Sequence, residues 1–185
     1  MRHFRFEIIS TFLLLLIIGA GCGSDDKGTD PEKVNSNLVW VDRVSAVSNQ
    51  DDVKVNVWFG NLVPLSGLEV PLRVSGGGFT IDSVSFVGSR VGDFFLTIGA
   101  VDTFTNTIEI AAADTAVCVD SGEGLLASLY FTLYSSSGGQ VLAIDTFSLD
   151  TGPYHSLIYI DTSEAGAEII PDFIDGEISV LQTGG

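Results

Sequence analysis

The chain has 185 residues and a formal net charge of −16, with 45% hydrophobic residues, two cysteines and two histidines. That charge excludes nucleic acid as a partner and leaves no basic patch to hold an anionic lipid surface. So few cysteines and histidines exclude a disulfide-rich scaffold and a zinc site built from His and Cys.

In chain order, Arg2, His3 and Arg5 precede an apolar stretch from Ile8 to Ile18, broken only by Ser10 and Thr11. The stretch is shorter than the about 20 residues that a membrane-spanning helix needs, and it reads as an export signal. Gly19-Ala20-Gly21-Cys22, followed by a polar tract, resembles a bacterial lipoprotein signal, although Gly19 stands where that pattern usually carries a branched aliphatic residue. The resemblance implies removal of residues 1–21 and acylation of Cys22 as the first mature residue. The protein would then be lipid-anchored to a membrane of the bacterial envelope, on the periplasmic or outer surface. Acylation consumes Cys22, so Cys118 is expected to lack an intramolecular partner and to be a small buried hydrophobe. Residues 22–36, rich in Asp, Lys, Gly, Ser, Asn and Pro, read as a flexible tether.

From Leu38 the texture changes to short apolar runs separated by Gly, Asn, Asp and Ser, with no helical period, which predicts an all-β domain over residues 37–182. Val53, Val55, Val57 and Phe59 alternate with Lys54, Asn56 and Trp58; Leu68, Val70, Leu72 and Val74 alternate with Glu69, Pro71 and Arg73. Leu125, Ala127, Leu129, Phe131 and Leu133 repeat the rule, and Ile108 with Ile110 and Ile178 with Val180 give shorter examples. Each such strand has one dry face, as in a sandwich. Phe79 and Ile81 share one phase while Val84 and Phe86 take the other, so a bulge is expected near Asp82 and Ser83.

Three segments carry a family resemblance. Asn61 to Leu72 resembles the early strand of cohesin domains, Gly122 to Phe131 resembles their later "G-x-l-a-t-l-x-F" strand, and Asp175 to Val180 is similar to their closing "n-G-x-I-x-V" strand. Their order and spacing match a whole cohesin domain. The resemblance implies a jelly-roll β-sandwich, cohesin-like and single-domain, related in fold to certain carbohydrate-binding modules, that binds dockerin domains. Where cohesins commonly have a Tyr-Asp-Pro-like turn after the early strand, this chain has Val74-Ser75-Gly76-Gly77-Gly78-Phe79.

No enzymatic constellation emerges. His155 is the only histidine after the leader and sits in an apparent turn, and the chain contains no Gly-x-Ser-x-Gly elbow. Gly122-Glu123-Gly124-Leu125-Leu126-Ala127 fits a dinucleotide fingerprint, but Gly124 to Ile144 holds no charged residue for the outer face of a following helix. Asp114, Asp120, Glu123, Asp150, Asp161, Glu164, Asp172 and Asp175 lack the EF-hand spacing and read as solvated turn carboxylates. No catalytic residue, metal or cofactor is therefore expected. The candidate binding residues are Trp58, Tyr130 and Tyr134, outward aromatics able to anchor a partner or stack on a sugar, with Glu69 and Arg73 outward on the cohesin-like strand. A dockerin-like protein is the favoured partner; polysaccharide bound directly, or a purely structural envelope role, is the rival.

Overall fold

The protein, seen in a computed structural model, is described over residues 36–148, 157–162 and 167–182. The leader, Cys22 and all of the tether except Ser36 lie outside the described residues, as does His155.

Among the described residues thirteen strands run in the order β1 (Leu38–Val41), β2 (Arg43–Val47), β3 (Val53–Asn61), β4 (Leu65–Ser75), β5 (Phe79–Ser85), β6 (Leu96–Asp102) and β7 (Thr107–Ala113). They continue with β8 (Gly122–Leu133), a 3-10 turn at Ser135–Ser137, β9 (Val141–Thr146), β10 (Ile158–Asp161), β11 (Glu168–Ile169), β12 (Asp172–Ile174) and β13 (Gly176–Leu181). The first sheet has the order β12-β1-β3-β8-β5. In the second, β11-β10-β4-β9-β13-β2 form one path, β7 pairs with the other flank of β4, and β6 pairs with β7. Strand β4 is the hub: Gly67 to Arg73 pair with β7, while its opposite flank is shared by β10 near Leu65–Glu69 and β9 over Leu72–Ser75.

The two ends of the chain close the sandwich. Strand β1 lies parallel to β12 in the first sheet, and β2 lies parallel to β13 in the second. Both segments therefore change sheets at the same level, through Asp42 and Asp175. Gly176 is required there, because a Cβ atom would collide with the Val41 side chain and stand 2.7 Å from the Asp42 carbonyl oxygen. This layout is an all-β jelly-roll sandwich, as the alternation implied.

Val55, Val57, Phe59, Leu129 and Phe131 of the first sheet meet Leu68, Val70, Leu72, Ile110, Ile144 and Ile178 of the second in one continuous core. Phe79 packs edge-on against Phe131 with ring centroids 6.3 Å apart. The register shift expected near Asp82 falls between Ile81 and Ser83 of β5. The glycine-rich segment at 122–127 opens strand β8 and not a helix.

One phase needs correction. A second bulge sets Val57 opposite Ala127 but Trp58 opposite Leu125, leaving Leu126 as the extra residue. Leu126 is consequently fully buried, while Leu125, expected on the dry face, is half-buried beside Trp58. Beyond the bulge the alternation holds. Phe131→Ala should cost about 3–5 kcal/mol of stability, whereas Thr132→Ala, losing only a surface hydrogen bond to Asp82, should cost about 1 kcal/mol or less. Denaturant titration of both variants tests the face assignment, and equal losses would refute it.

Candidate binding faces

The structure divides the five candidate residues between the two outer faces. Trp58, Tyr130 and Tyr134 belong to the first sheet; Glu69 and Arg73 belong to the second.

On the first sheet, Trp40 of β1 stands directly opposite Trp58 of β3, and their nearly parallel rings have centroids 6.3 Å apart. Ile174 of β12 pairs with Trp40 and Leu125 of β8 pairs with Trp58, so one apolar row crosses four strands. The next row is polar. Asp42 accepts a hydrogen bond from the Trp58 indole N–H at 2.8 Å on Oδ1 and another from Asn56 Nδ2 at 3.0 Å on Oδ2. Asn56 Oδ1 in turn accepts from the Ser128 hydroxyl at 3.0 Å. Lys54 and Tyr130 form the row beyond, and Tyr134, just past β8, shares a 2.7 Å hydrogen bond with Thr80. Trp40 escaped the sequence reading because β1 is only four residues long, too short for its alternation to stand out.

On the second sheet, Arg73 is exposed and its guanidinium lies 4.7 Å above the Phe147 ring, a cation–π contact. Asp145 is its register neighbour on β9. Glu69 does not reach solvent as expected: it is only 5% exposed. Alternation gave its side of the sheet correctly, but Glu69 stands mid-sheet between Ala111 on β7 and Ile158 on β10, where neighbours on both flanks enclose it. Gly67 with Ala113 and Pro71 with Glu109 are the neighbouring pairs on this face. Phe104, 95% exposed, projects from the β6–β7 hairpin.

At the end of the sandwich where the chain enters, Arg90 acts as a plug. It comes from the β5–β6 loop, lies 4.7 Å over the Phe59 ring and fills the space that any side chain at Gly124 would occupy. Its guanidinium donates to Asn61 Oδ1 at 2.9 Å, to the Gly122 carbonyl at 2.7 Å and to the Asp120 carbonyl at 2.5 Å. Burial lowers its pKa from the ordinary arginine value, against the opposing influence of Tyr159, Asp120 and Glu123. Tyr159 is buried beside it, edge-on to Phe59, with its hydroxyl donating to the Leu38 carbonyl at 2.8 Å; burial raises its pKa.

Two turn carboxylates have structural tasks. Asp114 accepts backbone N–H bonds from Phe95, Ala116 and Val117, and Asp102 accepts from Phe104 and Thr105. These bonds hold both pKa values below the usual carboxylate range. Cys118 is half-buried and disulfide-bonded, which corrects the expectation that it has no partner.

The two sheets and their order define a jelly-roll β-sandwich. No protein-family model matches the sequence, and no curated protein matches it. Among solved structures, the chain resembles the sixth cohesin of scaffoldin B from Acetivibrio cellulolyticus, solved in complex with a variant Cel5 dockerin. The TM-score is 0.64 at 15% identity, covering 79% of this chain and 99% of that one. It also resembles a non-cellulosomal cohesin from the archaeon Archaeoglobus fulgidus, with TM-score 0.60, 17% identity and coverage of 79% and 91%. A third is the cohesin CaCohA2 from Clostridium acetobutylicum, with TM-score 0.59, 23% identity and coverage of 80% and 94%. The chain has the cohesin fold.

Arg90→Met should destabilise the domain by about 2–4 kcal/mol, because three charge-assisted bonds are lost and Asn61 and two carbonyls lose their donor. Arg73→Met, at an exposed site, should cost less than about 1 kcal/mol. Thermal melts of the pair check this, and near-equal values would show that the plug carries no special weight.

Proposed function

We propose that this chain is a non-enzymatic docking module that takes a dockerin-like protein domain and is exported to a bacterial envelope. The observation that carries the reading is whole-domain likeness: nearly the full length of cohesins solved with dockerins superposes on the strands of this chain. The three segments that resemble cohesins in sequence fall on β4, β8 and β13 in the same order.

Docking needs a flat surface able to bury about 800 Å² per partner. The β4–β7–β6 side of the second sheet suits it. Gly67, Ala111 and Ala113 contribute small side chains to it, Arg73 and Asp145 supply opposite charges at one margin, and Phe104 is an exposed aromatic anchor. Dockerin loops resemble EF-hands, so calcium would act through the partner and not through this domain.

The full chain should capture a recombinant dockerin from the same organism in calcium and release it on chelation, while its own melting temperature stays unchanged. Arg73→Glu and Phe104→Ala should each weaken capture by about tenfold or more, and Trp58→Ala should not. Failure to capture any dockerin of that organism would overturn the reading; loss through Trp58 alone would move the docking face to the first sheet.

Export has its own test. Intact-mass analysis of the native protein should show a chain from which the leader has been removed. A mature chain that keeps the leader would overturn export. Docking would be untouched.

A further inference from the structure

We infer that the outer face of the first sheet is a second binding site, for the extended chain of an uncharged polysaccharide. It lies on the side of the sandwich opposite to the proposed docking surface and does not depend on it.

The face is ordered in rows. Ile174, Trp40, Trp58 and Leu125 form an apolar row across four adjacent strands, roughly 14 Å long at the usual strand spacing. One step along the strands lies a polar row, Asn56 and Ser85 with the buried Ser128 between them, its hydroxyl bonded to Asn56. A step further, Tyr130 is flanked by Lys54 and Ser83. A sugar ring has the same alternation: an apolar face of C–H groups, whose partial positive charge suits the negative face of an indole, and a rim of hydroxyls. Polymer strands of such rings can lie flat across a sheet that offers no deep cleft.

The groups are also fixed in advance. Asp42 holds the Trp58 indole N–H and the Asn56 amide together, and Ser128 is tied to Asn56, so binding would order few side chains. With its N–H committed, Trp58 has its ring surface to offer. Trp40, by contrast, makes no hydrogen bond through its indole N–H among the described residues, which leaves a donor at the row for a sugar oxygen.

Charge narrows the ligand. The chain carries a formal net charge of −16, and the face itself presents Lys54 against Asp172, Asp82, Glu123 and the engaged Asp42. A polyanion such as a uronate chain is repelled overall, whereas a neutral hexose or pentose polymer pays no such cost.

Affinity electrophoresis of the full chain in gels containing hydroxyethylcellulose or glucomannan, beside polygalacturonate, tests the proposal. At least one neutral polymer should retard the protein, polygalacturonate should not, and added salt should leave the retardation unchanged. Trp40→Ala and Trp58→Ala should each weaken it by about tenfold. Trp58→Phe, which keeps a ring but loses the Asp42 bond, should retain part of the binding, and a thermal melt of each variant separates lost affinity from lost fold. No retardation in either neutral polymer overturns the proposal, as does retardation that survives both alanine variants. Capture of a dockerin through the two tryptophans, with no glycan bound, also overturns it. Because the docking test reads Arg73 and Phe104, either proposal can fail alone.

Discussion

The carboxylate of Asp42 ties the architecture to the surface. At this residue the first strand leaves one sheet for the other, and its backbone N–H is held by the Asn56 carbonyl at 2.9 Å while its own carbonyl accepts from Glu177 at 3.3 Å. The side chain turns outward and fixes Trp58 and Asn56. Sheet crossing, closure by β13 and the orientation of the indole thus share one residue. An apolar side chain there could complete the crossing but would leave the indole and amide donors without their acceptor. The exposed Arg43–Asp175 ion pair beside it, at 3.0 Å, adds little by comparison.

Arg90 solves a different problem at the end where the chain enters. A sandwich of aliphatic faces is open at its ends, and the backbone carbonyls that turn there need donors. One guanidinium satisfies two of them and the Asn61 amide oxygen at once, while its flat surface covers Phe59. Arginine's planar fork suits this better than a lysine, which offers one point of charge and no stacking surface. It is also the last cation in the sequence. The acidic second half of the domain therefore folds around a positive charge supplied by the first half.

Period-two alternation made most of the core legible. Val53 to Phe59, Leu68 to Val74 and Leu129 to Leu133 each occupy the dry side that their pattern implied. What escaped depends on neighbours that are distant in sequence. Leu126 is buried because β8 gains a residue opposite β3, and Glu69 is enclosed because two other strands flank it. Nothing local to Arg90 announces its three acceptors, which come from Asn61, Asp120 and Gly122. Trp58 was legible from its own strand, whereas its pairing with Trp40 required the register of β1.

The direction of the strands orients the proposed surfaces with respect to the end where the chain enters. Leu38 pairs with Gly60 and Asp172, and Leu65 bridges Val119, so the chain enters at the Arg90 end. Arg73 pairs with Thr107 and Thr107 with Asp102, which puts the Phe104 hairpin and the Arg73–Phe147 contact at the opposite end. The proposed docking margin therefore lies at the end of the sandwich away from where the chain enters. The Trp40–Trp58 row, by contrast, lies along the flank of the sandwich. Two packed sheets separate the faces by about 10 Å of close-packed core. Occupying one therefore need not obstruct the other, and a single domain of this size has room for a protein on one side and a polymer on the other.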